Sequence, residues 1–261
     1  MDKKEILERF GFSFRLGGAH MARTIMLDEL TNLFNYVNNP NATREEYKRA
    51  IIEENCLRKK SGKTCQMDAR HLLDLYLFDE SFLLFRAFQF FWKRDIEGRP
   101  LLALLCAYVR DPILRASAPF ILDKNKGDLV TRIDLENYFE TIFPGRLKGS
   151  LSSTSKNVNS TWTKTGHLTG RAKKYRTQST PTPGAATYAA LLGYLSGARG
   201  IELFKTEYIS LLDCSFENAI ELCENASRRG WAKLKRIEDV IDISFPEIMT
   251  EQEMQWIHEQ N

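Results

Sequence analysis

Residues 141–201 contain no aspartate and no glutamate, although the chain holds 34 of them elsewhere. The same stretch carries nine of the 37 lysines and arginines, so it stands at +9, while the remainder, with 28 basic and 34 acidic residues, balances at −6. The modest net charge of +3 therefore hides a split: one region attracts phosphate and the rest repels it, which orients a polyanion better than uniform basicity would. Nucleic acid is the first partner this suggests.

Other absences narrow the field. The strongest apolar stretch, residues 82–92, is interrupted by Arg86 and Gln89 and is too short to span a bilayer; residues 1–9 are charged with no signal-type apolar core behind them. A soluble, cytoplasmic protein without membrane attachment is expected. The five cysteines (56, 65, 106, 214, 223) are odd in number and never spaced Cys-x-x-Cys, which predicts free thiols rather than bridges or structural zinc. The four histidines are scattered, with no i, i+4 metal pair, and no serine elbow, kinase signature or nucleotide-binding glycine loop occurs. His71 reads as a helix-surface or satisfied core group. No metal, no cofactor and no catalytic residue are expected, and the protein is read as a non-enzyme.

What is present reads mainly as helix. Thr43-Arg-Glu-Glu46 is a capping box, Thr131-Arg-Ile-Asp134 an N-cap with an acidic first turn, and Asp111-Pro112 a cap followed by a first-turn proline. They predict helices over 45–57, 135–143 and 113–122. The apolar residues of 82–92 and 101–109 recur at helical spacing and predict the centre of a core. Further helices are expected over 185–195, 200–212 and 216–229, the last between Ser215 and Gly230. Residues 231–237 and 240–245 alternate around Glu238-Asp239, which is hairpin grammar.

Between these lies the stretch that carries function. A helix over 135–143 stops at Pro144-Gly145; a short helical turn near Leu147 follows, then a Ser/Thr/Asn/Lys-rich segment. In that segment Leu151, Val158 and Trp162 fall on one stripe, predicting a polar helix over 152–165. A glycine-bounded basic hairpin over 168–178 comes next. The order is that of a winged helix-turn-helix, whose second helix enters the major groove while the wing rests on neighbouring backbone. Outward positions of the polar helix would include Ser155, Lys156, Asn159 and Lys164; the wing adds Arg171, Lys173, Lys174 and Arg176. Lys156, Lys164 and the four wing cations are expected on phosphates, with Ser155 and Asn159 nearest the bases. A solvated basic loop is the plainer alternative, but the bulky indole of Trp162 would gain no burial there. RNA is a further alternative, since the same cations serve any phosphate backbone. A second basic cluster, Arg58-Lys-Lys-Ser-Gly-Lys63, echoes the end of a P-loop but lacks the earlier glycine and a preceding strand.

The N-terminal half, with Glu54-Asn-Cys-Leu57, the basic link 58–64 and the Arg70-His-Leu-Leu73 helix, joined to a basic winged-helix-like region, resembles the BrxA family of bacteriophage-exclusion (BREX) defence systems. The resemblance implies a mostly helical, non-enzymatic DNA-binding component working beside a methyltransferase and other defence proteins. The expected fold is mainly α, multi-helical, with a central winged helix-turn-helix-like segment and a small C-terminal β-hairpin. Its divisions would fall at 1–125 (helical), 126–200 (basic, DNA-binding) and 201–261 (helices and hairpin). Double-stranded DNA is the expected partner, with other phage-defence proteins beside it; the rival is a scaffold whose cationic segment docks an acidic protein.

Overall fold

The computed structural model describes residues 2–15, 17–238 and 240–258, the last without its side chain. Helices α1 (Lys3–Phe10), α2 (Leu27–Val37), α3 (Arg44–Ile52), α4 (Gly62–Tyr76), α5 (Leu83–Arg94), α6 (Arg99–Tyr108) and α7 (Pro112–Leu122) precede strand β1 (Leu129–Val130). Helices α8 (Arg132–Ile142) and α9 (Leu151–Lys164) follow, then β2 (Leu168–Thr169) and β3 (Lys174–Arg176). The chain closes with α10 (Pro183–Leu195), α11 (Glu207–Ser210), α12 (Phe216–Arg228), β4 (Lys233–Ile237), β5 (Val240–Ser244) and α13 (Glu251–His258). The protein is thus mainly helical with a few short antiparallel strands. Among the described residues no helix is long and apolar enough to cross a membrane.

The caps behave as their side chains dictate. Thr43 and Glu46 exchange hydrogen bonds in a capping box at the head of α3, and Thr131 Oγ1 accepts the Asp134 N–H at 3.0 Å. Asp111 accepts from Ile113 and Leu114 N–H at the start of α7, where Pro112 occupies the position that needs no donor. The core is built around α5, α6 and α10. In α10 an Ala-rich sequence lets neighbours close in on every side, and its residues from Gly184 to Gly193 are all buried. Gly184 is required there: its N–H donates to Asp95 Oδ2 at 2.7 Å, and a Cβ would stand 2.5 Å from that oxygen.

The structure differs from the sequence reading at several points, among them the end of α3, which stops at Ile52 rather than at 57. Residues 200–212 form a 3-10 turn (Gly200–Lys205) and then α11, because Thr206 is extended and interrupts the path. Residues 144–150 form turns without a helix, while Leu147 is buried. Strand β1 was not anticipated: it is two residues long, and it joins β3 so that the small sheet runs β1-β3-β2, all antiparallel. The C-terminal hairpin pairs Ile237 with Val240; Asp239 of its expected turn lies outside the described residues.

Candidate nucleic-acid interface

Helix α9 is held from two sides. Trp162 is fully buried and its Nε1 donates to Ser117 Oγ of α7 at 2.8 Å, so a residue that composition alone would assign to a linker anchors a packed helix. On the other flank Thr161 Oγ1 accepts the Ile25 N–H at 2.9 Å and lies 2.9 Å from His20 Nε2. His20 Nδ1 in turn donates to Asp111 Oδ2 at 2.8 Å. Burial raises the Asp111 pKa, but the His20 imidazole outweighs it and the carboxyl settles below its usual range. Asp111, His20 and Thr161 have the order of an acyl-transfer relay. All three are buried at 1% exposure or less, and the hydroxyl is already engaged by Ile25, so the chain of bonds is a joint fixing α9 to α7 and the N-terminal loop.

The hairpin after α9 is anchored as firmly at its base. Gly170 turns with φ +99°, and a Cβ there would stand 2.1 Å from the Lys173 carbonyl oxygen, so only glycine makes this turn. Because side chains alternate along β3, Lys174 and Arg176 share one face and Tyr175 takes the other, opposite Leu129 and Thr169. Arg176 reaches inward: Nε donates to the Ile121 carbonyl at 3.0 Å, and Nη1 and Nη2 hold the two Asp213 oxygens at 2.7 and 2.8 Å. Asp213 is pushed up by burial and pulled down further by Arg176, ending below its ordinary value. His167, packed edge-on against Trp162, donates from Nε2 to the Leu211 carbonyl at 3.0 Å, leaving Nδ1 facing Thr165 Oγ1. Burial lowers its pKa to about 4, against the pull of Asp213.

These contacts correct part of the sequence reading. Arg176 is 5% exposed and spent on Asp213 and carbonyl oxygens, so it supports the wing and is not a phosphate contact. Ser155 is fully buried rather than outward, because α8 and the N-terminal loop cover a wider arc of α9 than the Leu151–Val158–Trp162 stripe implied. Asn159 is likewise not outward; it is 5% exposed and forms the floor of a groove. Lys164 is half-buried with its ammonium on Asp28. Lys156, Arg171 and Lys173 are exposed and Lys174 is half-exposed, its ammonium on the Gly170 carbonyl at 2.7 Å and its pKa lowered by desolvation. The side of α9 that does face solvent carries the exposed Ser152, Ser153 and Lys156 and continues to the half-buried Ser160, four residues beyond Lys156.

Between α9, β1 and the wing these residues enclose a groove of about 600 Å³, and no carboxylate lines it. The sequence reading missed Arg132, which enters from α8 with a hydrogen bond to Ser152 Oγ and an ion pair to Glu136 at 3.4 Å, and Leu129, which β1 brings to the edge. Arg132 lies outside the acid-free stretch, so charge counting could not reach it; its position right after the Thr131 cap was the available signal.

The other cationic features differ. A cavity of about 870 Å³ in the N-terminal half is lined by Arg15, Arg44, Arg70 and Arg110, and also by Glu8 and Asp74. In the 58–63 cluster, Ser61 caps α4 and Lys59 binds Glu29 at 3.0 Å and Asp68 at 3.2 Å. His71 is half-buried, with burial lowering its pKa. The five cysteines are free, and among the described residues no group of His, Cys, Asp and Glu is arranged to hold a metal ion. No protein-family model matches the chain, and no curated protein matches it significantly.

Proposed function

We propose that this protein binds double-stranded DNA, without a chemical step of its own, through the groove between α9, β1 and the β2–β3 hairpin. The observation that carries the reading is a carboxylate-free groove lined by Arg132, Lys156, Arg171, Lys173 and Lys174. The order α7, β1, α8, α9, β2, β3, with the sheet running β1-β3-β2, supports a winged helix-turn-helix. In that plan α9 offers Ser152, Lys156 and Ser160 to the major groove, and Arg171 and Lys173 at the wing tip meet the flanking backbone. Small hydroxyls beside ammonium groups allow close approach without demanding one base sequence, so binding is sequence-tolerant. The resemblance to the BrxA family supports placing this activity within a phage-defence assembly.

The test is a mobility-shift titration of a generic duplex between 50 and 200 mM salt. With about five phosphate contacts, affinity falls by two to three orders of magnitude over that range, roughly as the 4.5th power of salt concentration. Replacing Lys173 and Lys174 with alanine lowers that slope by about two. A duplex that fails to shift at 50 mM salt overturns the proposal and favours an acidic protein as the partner.

A further inference from the structure

Arg110 sits in the N-terminal cavity on terms that the other sheltered arginines of this protein do not share. Among the described residues that are not fully exposed, Arg23, Arg86 and Arg176 each hold a carboxylate, that of Asp68, Glu253 and Asp213 in turn. Arg99, Arg115 and Arg199 lie over the rings of Trp92, Phe14 and Tyr194. Arg110 has neither: it donates to the Asp74 and Gly11 carbonyls, which engage two of its nitrogens and leave the charge without a counter-charge. Burial lowers its pKa, and the like charge of Arg44 pulls the same way. A sheltered cation in this state is costly, and an anion entering the cavity offsets that cost.

Three more arginines reach the same cavity from separate segments: Arg15 from the loop after α1, Arg44 from the start of α3 and Arg70 from α4, all exposed. Among the described residues, Arg70 is the one of the four with a carboxylate in ion-pair reach, Asp74 at 3.9 Å. Of the carboxylates in the lining, Asp111 is occupied by His20 and the first turn of α7, which leaves Glu8 and Asp74. That mixture disfavours a duplex, because carboxylates repel a continuous phosphate backbone. It suits a small molecule that brings both complements: a phosphate, whose oxygens match guanidinium forks two at a time, and hydroxyls that donate to carboxylates. Leu73, Leu77 and Phe82 give an apolar wall for its carbon skeleton, and about 870 Å³ is within the usual range for small-molecule sites.

We propose that the N-terminal cavity binds a small phosphate ester of a hydroxylated compound, a sugar phosphate or a nucleoside monophosphate. The phosphate lies among Arg44, Arg70 and Arg110, and the hydroxyls donate to Glu8 and Asp74. This site shares no lining residue with the groove beside α9 and stands independently of the duplex reading.

The experiment is isothermal titration calorimetry on the full chain at about 100 mM salt. The probes are ribose 5-phosphate, adenosine monophosphate and inorganic phosphate, with ribose and adenosine as phosphate-free controls. At least one ester is expected to bind about tenfold more tightly than inorganic phosphate, and its phosphate-free counterpart to give no binding. Arg44→Ala and Arg70→Ala, at exposed positions, each weaken that ester about tenfold, whereas Arg58→Ala, outside the lining, leaves it unchanged. Asp74→Ala removes a hydroxyl acceptor together with a repelling charge, so inorganic phosphate binds no more weakly while the ester's advantage over it shrinks. The site is overturned if both esters bind no more tightly than inorganic phosphate, or if Arg44→Ala and Arg70→Ala bind them as wild type does. Absence of binding by both esters up to about 1 mM overturns it equally.

Discussion

Among the described residues, the N-terminal cavity and the groove beside α9 are both lined by cations, and they differ in what faces those cations. In the N-terminal cavity the guanidinium of Arg110 is spent on the chain itself, donating to the Asp74 carbonyl at 2.6 Å and to the Gly11 carbonyl, and Glu8 and Asp74 share the lining. In the groove beside α9 no carboxylate lines the wall, and Lys156, Arg171 and Lys173 point to solvent. Arg176 shows that the second region also contains structural cations: it sits below the wing and resembles Arg110 in its use. Positive charge is therefore freest for a partner where the fold leaves it exposed with no carboxylate beside it, as at Lys156, Arg171 and Lys173, and the acid-free composition of 141–201 favours that on this face.

The comparison is sharpened first by Asp213→Ala. Removing the partner of a buried guanidinium costs about 3 kcal/mol, so thermal unfolding should drop steeply while Arg171 and Lys173 remain intact; a loss below about 1 kcal/mol would show Arg176 to be free after all. Acid should act on the same anchor. His167 has its pKa lowered to about 4 from 6.5, so the fold favours its neutral form; the stability this gives is complete above pH 6.5 and is lost as pH falls toward 4. The loss reaches up to about 3 kcal/mol with a slope of at most about 1.4 kcal/mol per pH unit. Asp213, lowered below its usual value, contributes in the same direction at still lower pH. Denaturant melts of wild type and His167→Asn between pH 4 and 7 should diverge in slope, and parallel curves would refute this.

Smaller effects separate the two cavities. Arg110→Ala removes the donor for two carbonyls and should cost about 2 kcal/mol of stability, with duplex affinity measured below the unfolding range changed less than twofold. Lys173→Ala with Lys174→Ala should do the reverse: affinity down roughly tenfold to thirtyfold at 100 mM salt, and stability within about 0.5 kcal/mol of wild type. A double variant that melts early but binds normally would erase the distinction drawn between the two regions.

The parts of this arrangement that were legible in the sequence are those written in local chemistry. Caps at Thr43, Asp111 and Thr131 announce their helices because the side chain that satisfies the first turn lies within three residues of it. Trp162 announced a packed α9, since an indole in a loose loop has nothing to bury against. What escaped was tertiary. Ser155 and Arg176 belong to a polar, basic segment, and nothing local reveals that α8 covers the one or that Asp213, 37 residues on, awaits the other. The strand β1 is too short to leave a period, and Asn159 at the floor of the groove differs from an outward asparagine only in its neighbours.

The central claim is that duplex DNA lies in the groove between α9, β1 and the wing, and hydrogen–deuterium exchange of the full chain with and without a generic duplex at 50 mM salt tests it most directly. Binding should slow exchange in α9, in the β2–β3 hairpin and around β1, and leave the N-terminal cavity and the 58–63 loop unchanged. Slowed exchange confined to the N-terminal half, with the wing untouched under saturating duplex, would contradict the account.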